Sequence, residues 1–271
     1  MTRGPMIAQG RTAELFAWGD GQVLKLFRHD FPAESVRYEA DVARTVYEAG
    51  LAVPVVGDIV HLDGRTGILY ERIEGPSLLK TIEIRPWMLL WAVDRFVSLQ
   101  VAMHERACPQ LPSQRERMVR KIQRAPHLAA ETKAQILQVL SQLPDGYVVC
   151  HGDYHPDNLL VSSRGLIVID WMDATHGNPL ADVARTLLLL RHGGLPPGTS
   201  ALGRRVMGFA RGAFTAAYLR RYCRLCSVSQ EQIDAWMLPV TAARLSEQVP
   251  GERDRLVAMV RTALTCVFWT G

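Results

Sequence analysis

With 271 residues, 48% of them hydrophobic and 21% charged, the chain has the material for a full core and is neither disordered nor fibrous in composition. The pI near 8.9 and the arginine-rich "RRVMGFARGAFTAAYLRRYCR" raise a nucleic-acid binder as an alternative, but arginines spread over one helix read as a solvated face and no recognised nucleic-acid module accompanies them. Apolar runs such as "WMLLWAV" fall short of the roughly 20 residues that cross a bilayer, and no signal-peptide pattern is present. The expectation is therefore a cytoplasmic protein with no membrane or nucleic-acid partner.

From Met6 to about Tyr70 the chain alternates short β-type runs, "MIAQG", "AELFAW", "GQVLKLF" and "TGILYE", around one helical stretch, "AESVRYEADVARTVYEAG", closed by Gly50. Beyond Pro76 it turns mostly helical, in "RPWMLLWAVDRFVSLQVAMHERA", "AETKAQILQVLSQL", "PLADVARTLLLLRHGG" and the C-terminal segments. This pattern predicts an α+β, two-lobed protein: a β-rich N-terminal lobe over residues 1–75, with a connection at about 70–75, and a helical lobe over 76–271. The five cysteines, Cys108, Cys150, Cys223, Cys226 and Cys266, are odd in number and scattered, which argues against a disulfide framework. Cys223 and Cys226 form a CxxC inside a helical pattern with no second ligand pair at zinc spacing, so packing outweighs a metal or redox role.

Within the β-rich part, alternation in "GQVLKLF" puts Val23, Lys25 and Phe27 on one face, so a lysine sits inside an otherwise apolar strand. An unpaired charge there would be costly. Further on, "HGDYHPDNLL" crowds His151, Asp153, His155, Asp157 and Asn158 against an apolar run. The continuation "LLV", "SSRG", "LIVID" has the pattern of a β-hairpin. Its open ends bring Asn158 and Asp170 together, and an amide oxygen with a carboxylate suits a hard cation such as Mg²⁺. Asp153 remains available to orient a hydroxyl or accept its proton.

"HGDYHPDN" followed by a hairpin and "IDW" resembles the catalytic segment of the aminoglycoside phosphotransferases and of the related choline, fructosamine and homoserine kinase-like enzymes, which share the protein-kinase fold. The resemblance runs from about Ile7 to His192. It implies a bilobal fold and transfer of the γ-phosphate of ATP, or of GTP, to a hydroxyl of a small metabolite or antibiotic. By the same resemblance Asp153 is the catalytic base, and Asn158 and Asp170 are the Mg²⁺ ligands. Lys25 contacts the α- and β-phosphates, with Glu39 as its partner and Glu34 and Glu48 as competitors. "ILYERIEGPSL" resembles the hinge, with Tyr70 beside the adenine and the Glu71 carbonyl and Ile73 amide as its polar contacts. "IAQGRTAELFAW" carries one glycine, Gly10, where protein kinases have a glycine-rich run, and backbone amides from Gly10 to Ala13 are the implied phosphate contacts. His151 and Asp182 are expected to brace the catalytic loop. His155 stands between a loop-shaping and a phosphate-touching role, and Asp173 between supporting the metal site and a solvated turn.

The acceptor is not named by any motif. The first 109 residues hold 12 Lys and Arg against 14 Asp and Glu, and the remaining 162 hold 19 against 13. A basic acceptor lobe favours a neutral, anionic or weakly basic hydroxyl compound over a polycationic aminoglycoside. A local acidic pocket built from Glu231, Asp234 and Glu247 is the competing possibility. A turnover-deficient nucleotide-binding regulator of the same fold is the rival to catalysis. All five polar groups, Lys25, Glu39, Asp153, Asn158 and Asp170, are present, which favours the enzyme.

Overall fold

In the computed structural model, which describes residues 3–193 and 200–269, the first five strands form one antiparallel sheet. These are β1 (Arg3–Gln9), β2 (Ala13–Trp18), β3 (Gln22–Phe27), β4 (Val56–Leu62) and β5 (Arg65–Glu71), in the spatial order β1-β2-β3-β5-β4. Four of these five segments match the runs of alternating residues. The fifth, β4, is the sequence "VGDIVHL", whose interior aspartate and histidine blur its period; pairing with β5 makes it a strand regardless. Helix α1 (Ala33–Glu48) lies against β4 and β5 and buries Val36, Glu39, Ala40, Val42, Ala43 and Val46.

The sheet has two apolar faces. Ala13, Phe27 and Ile68 pack with Val36 and Ala40 of α1, while Leu24, Leu26 and Leu69 form a separate cluster with Phe16 and Trp18. Because successive side chains alternate, Lys25 shares the α1 side with Phe27.

Contacts divide the chain into two compact units. The first comprises the sheet, α1 and the chain to Pro86, together with Pro156–Ala174. That returning segment carries β7 (Leu159–Ser162) and β8 (Gly165–Val168), the hairpin expected from the sequence, paired Leu159↔Val168 through Ser162↔Gly165. The hairpin docks on its own unit through Val168 N to Ala52 O at 2.9 Å, Val161 N to Pro76 O at 2.9 Å, and an ion pair of Arg164 with Glu71 at 2.8 Å. Gly75 makes this approach possible. Its φ is 141°, and a Cβ there would stand 1.9 Å from Val161 O. Helix α2 (Leu78–Ile84) follows, with the Ser77 hydroxyl accepting from Lys80 N.

The second unit, Trp87–His155 with the chain from Thr175 onward, is mainly helical. It contains α3 (Leu89–His104), α4 (Gln114–Arg124), α5 (Ala130–Gln142), α6 (Pro179–His192), α7 (Ala201–Cys226), α8 (Gln230–Asp234), α9 (Met237–Leu245) and α10 (Arg253–Trp269), plus the short pair β6 (Val148–Cys150) and β9 (Thr175–Gly177). Phe96 on α3 centres an aromatic core, with ring centroids 4.4 Å from Tyr154 and 5.5 Å from both Phe214 and Tyr218 on α7. α6 starts as its sequence predicts: Asn178 caps Leu180 N at 2.9 Å and Pro179 occupies the first turn. Helix α4 was not among the predicted helices, since its "QRERMVRKIQR" has only Met118 and Ile122 buried. Cys108, Cys150, Cys223 and Cys226 are free thiols. Among the described residues no helix is long and apolar enough to cross a membrane.

Candidate active site

In the first unit the lysine inside β3 finds two carboxylates. Lys25 Nζ donates to Glu39 Oε1 at 2.6 Å and to Asp170 Oδ1 at 3.1 Å. Glu39 is 2% exposed, whereas the competing Glu34 and Glu48 lie exposed on α1, so Glu39 is the acid that meets the lysine. Tyr70, paired opposite Val23, donates its hydroxyl to the same Glu39 Oε1 at 3.3 Å, which ties the tyrosine to the lysine cluster. Glu39 Oε2 is buried without a hydrogen-bond partner.

Crowding around this one ammonium shifts Lys25, Glu39 and Tyr70. Burial works against a charged Lys25, but Asp170 and Glu39 outweigh it and hold the amine above its ordinary value. Burial raises Glu39, and the like charge of Asp170 adds to that against the opposing pull of Lys25. Burial and the neighbouring Glu39 push the Tyr70 hydroxyl well up, so it stays a neutral donor.

The hairpin supplies Asp170. Ile169 N donates to Asn158 O at 2.9 Å, closing the ladder one step beyond the last strand pair, so Asn158 and Asp170 flank the open end of the hairpin. Asp170 has φ 65°, a left-handed conformation rare for a residue with a side chain, and it turns its carboxylate toward Lys25. Asn158 is buried and Asp170 half exposed; Asp173 is half-buried in the turn beyond. Among the described residues no group of three or more His, Cys, Asp or Glu side chains is arranged to hold a metal. A single amide and a single carboxylate therefore fit an ion that keeps waters and phosphate oxygens in its shell, as Mg²⁺ does, and do not fit an all-protein cage.

The loop between β1 and β2 is closed by Gly10 N to Ala13 O at 2.8 Å. Arg28, just past β3, ties it down by donating to Arg11 O at 2.9 Å and to Gly10 O at 3.1 Å. The sequence reading missed this arginine; its only signal is a cation directly after the lysine-bearing strand. Glu71 at the end of β5 pairs with Arg164 and accepts from Val55 N, and Ile73 follows outside any strand.

In the second unit the loop after β6 presents Asp153. His151 is fully buried, and its Nδ1 accepts from Asp153 N at 3.1 Å. Tyr154, also fully buried, donates to Phe96 O at 2.8 Å and fixes the loop to α3; burial of such a ring is worth about 2–3 kcal/mol. Asp182 on α6 accepts from Gly152 N at 2.7 Å, the bracing expected of it, and is itself held by His104 at 3.1 Å and Gln100 at 3.3 Å. His155 Nε2 stands 3.5 Å from Asp153 Oδ2, and Arg185 Nη2 stands 3.5 Å from Oδ1. Burial alone would raise Asp153, but the His155 contact and the Arg185 and histidine charges overcome it and hold the carboxyl well below the usual range. Arg185 escaped the sequence reading. Its signal is spacing: it lies three residues after Asp182, on the same helix face.

Of the three acids considered for an acceptor pocket, one is already paired and two are exposed. Glu247 accepts from Lys121 at 3.0 Å and from Arg185 at 2.9 Å, and also pairs with Arg244. Burial opposes its ionisation, yet those three cations bring it down to about 2. Glu231 and Asp234 are exposed on α8.

Comparison with known proteins converges on one group. The chain superposes on a thermostable mutant of the aminoglycoside phosphotransferase APH(4)-Ia in its apo form with a TM-score of 0.67, at 19% identity, over 97% of this chain and 96% of that one. An aminoglycoside-3'-phosphotransferase of type VIII gives 0.61 at 18% identity, over 88% and 93%. The amicoumacin kinase hAmiN, in complex with AMP-PNP, Ca²⁺ and Ami, gives 0.59 at 16%, over 95% and 85%. At these identities the likeness is one of fold, and the fold is the α+β, protein-kinase-like one. Sequence comparison with curated proteins yields no match. The sequence profile described as "Phosphotransferase enzyme family" matches residues 7–236, beginning where the resemblance begins and continuing past His192 through α8, and the chain belongs to that family.

Proposed function

We propose that this phosphotransferase transfers the γ-phosphoryl group of ATP, with GTP as the alternative donor, to a hydroxyl of a small molecule. The observation that carries the reading is Lys25, an ammonium inside a strand, oriented by the buried Glu39 and touching Asp170 at the mouth of the hairpin. A lysine so held is a fixed point charge for the α- and β-phosphates, and the role needs its ion pair with the helix acid in place, as Lys25–Glu39 is.

Asn158 and Asp170 would hold Mg²⁺, whose chemistry is to neutralise the charge on the phosphate oxygens. The amides from Gly10 to Ala13, on a loop that Arg28 steadies, cradle the phosphates. The Glu71 carbonyl and Ile73 amide hold the adenine, and Tyr70 packs beside it while its hydroxyl orients Glu39.

Asp153 accepts a hydrogen bond from the acceptor hydroxyl. Held ionised by its neighbours, it is a weak base, which suits a transfer whose transition state is loose: the carboxylate orients the hydroxyl and takes its proton late, as the new oxygen–phosphorus bond closes. His155 shapes this loop through its contact with Asp153.

The acceptor is a neutral, anionic or weakly basic hydroxyl compound, and a highly charged aminoglycoside is not the natural one. The support is local as well as global: Glu247, which shares Arg185 with Asp153, is already committed to three cations, so it offers a polycation no open partner. Whether the role is antibiotic resistance or metabolism follows from that acceptor. The test is an ADP-release panel with Mg·ATP and Mg·GTP against kanamycin-like, macrolide-like, sugar and amino-alcohol acceptors. Efficient turnover of a tetracationic aminoglycoside, falling steeply with added salt, would reverse the acceptor assignment. Acceptor-stimulated ADP release that persists in Asp153→Ala would reverse the assignment of the base.

A further inference from the structure

The peptide that carries Asp153 is held at both ends by one face of α6. Gly152 N donates to Asp182 Oδ1 at 2.7 Å, and Gly152 O accepts from Arg185 Nε at 3.0 Å. Gly152 has φ 77°, a conformation in which both groups turn toward the helix and in which a residue with a Cβ is strained. Asp182 and Arg185 are three residues apart, so a single helical turn supplies both ends of the clamp.

The Arg185 guanidinium does more than hold the carbonyl. Its Nη2 lies 3.5 Å from Asp153 Oδ1 and 2.9 Å from Glu247 Oε2. Glu247 is fixed by Arg244 and by Lys121 of α4, and Arg244 donates in turn to Glu252 at 2.8 Å and 3.1 Å. Arg185 is only 10% exposed, so water does not compete strongly for these donors. A planar fork engaged on three sides has one orientation. A lysine, with its donors on one rotatable ammonium, lacks the fixed plane that orients all three partners together.

We propose that Arg185, anchored by Glu247, is a positioning residue for phosphoryl transfer, which locks the Gly152 peptide and aims the Asp153 carboxylate at the acceptor hydroxyl. The proposal rests on the reading of Asp153 as the base. It differs from simple bracing of the loop, because a brace would affect folding alone, whereas an aiming group also sets the behaviour of the Asp153 carboxyl.

The test compares the full-length parent with Arg185→Lys, Arg185→Gln and Asp153→Asn. The carboxyl resonance of Asp153 is followed by carbon-13 NMR of aspartate-labelled protein, with Asp153→Asn identifying the signal. Phosphoryl transfer to water is read as ADP release from Mg·ATP, and Mg·ATP affinity by calorimetry. Arg185→Gln should move the Asp153 titration to higher pH. Arg185→Lys keeps the charge and should leave that midpoint near the parent's, yet lower ADP release by about 10- to 100-fold through loss of aim, with nucleotide affinity preserved. Parental ADP release in Arg185→Lys, or an unmoved Asp153 titration in Arg185→Gln, would overturn the proposal. If Arg185→Gln fails to fold, Arg185→Lys decides alone. Parental ADP release in Asp153→Asn overturns the assignment of the base, and the carboxyl titration in Arg185→Gln still judges whether Arg185 acts on Asp153.

Discussion

Replacing Lys25 with methionine keeps the apolar stem in β3 and removes the ammonium. Glu39 is 2% exposed, and its Oε1 accepts from Lys25 at 2.6 Å and from Tyr70 at 3.3 Å, while Oε2 has no partner. The variant leaves that carboxylate buried with one long hydrogen bond. Breaking one side of a buried ion pair costs about 3–5 kcal/mol. The second arm, to an Asp170 that is 48% exposed, adds under about 1 kcal/mol. Lys25 keeps 17% exposure of its own, so the lower end of the range, about 3 kcal/mol, is expected. The loss should depend on pH. Glu39 is raised in the parent by burial first and by Asp170 second, and removing Lys25, which opposes both, raises it further. An acid whose folded value lies above its unfolded one favours the fold below the unfolded value, near 4.3, and that contribution disappears as pH climbs through the folded value. The deficit of Lys25→Met should therefore be larger at pH 8 than at pH 5.5. Hydrogen exchange of peptides from β3 and α1 measures the local opening energy at both values. Adding Glu39→Gln to Lys25→Met should recover most of the loss. Parental protection in Lys25→Met, or an equal deficit at both pH values, would refute the argument that Glu39 depends on this lysine.

Further outcomes follow from other parts of the molecule. Asp153→Asn should abolish most phosphoryl transfer and leave Mg·nucleotide affinity within about twofold by calorimetry, because the base acts on the acceptor. Asp170→Ala should lose the Mg²⁺-dependent part of nucleotide binding, seen by titrating nucleotide with and without the metal. Gly75→Ala should destabilise the first unit by about 3 kcal/mol or more, since its Cβ would meet Val161 O at 1.9 Å with φ at 141°; exchange of the β7 and β8 amides reads it. Glu247, brought down to about 2, lends stability that is present above its unfolded value and fades as pH falls toward 2. The stability gap between parent and Glu247→Gln in urea should therefore be about 3 kcal/mol near neutrality and close to nil at pH 2.

Much of this protein can be read from local chemistry. Alternating residues announce a strand, so β2, β3, β5 and the β7–β8 hairpin were legible, and a lysine interrupting an apolar face in β3 required a buried acid somewhere. The polar crowding from His151 to Asn158 before an apolar strand marked a site, because such groups are costly to desolvate without a function to offset it. Asn178 and Pro179 announced the start of α6 in the same local way.

Tertiary structure decided what local patterns cannot encode. β4 carries a poor strand period and exists because β5 pairs with it; α4 exists because other helices cover Met118 and Ile122, its two buried residues. Of the three glutamates on α1, only packing against the sheet determines which one reaches Lys25, since helical spacing allows several registers but burial selects Glu39. Arg185 and Glu247 are 62 residues apart, and nothing between them signals that one guanidinium joins the Gly152 carbonyl, Asp153 and Glu247. Ion pairs at that separation depend on where the helices α6 and α9 cross. Strand period and capping chemistry act over a few residues and are written in the sequence, whereas the partners of a buried charge are chosen by the whole packed unit.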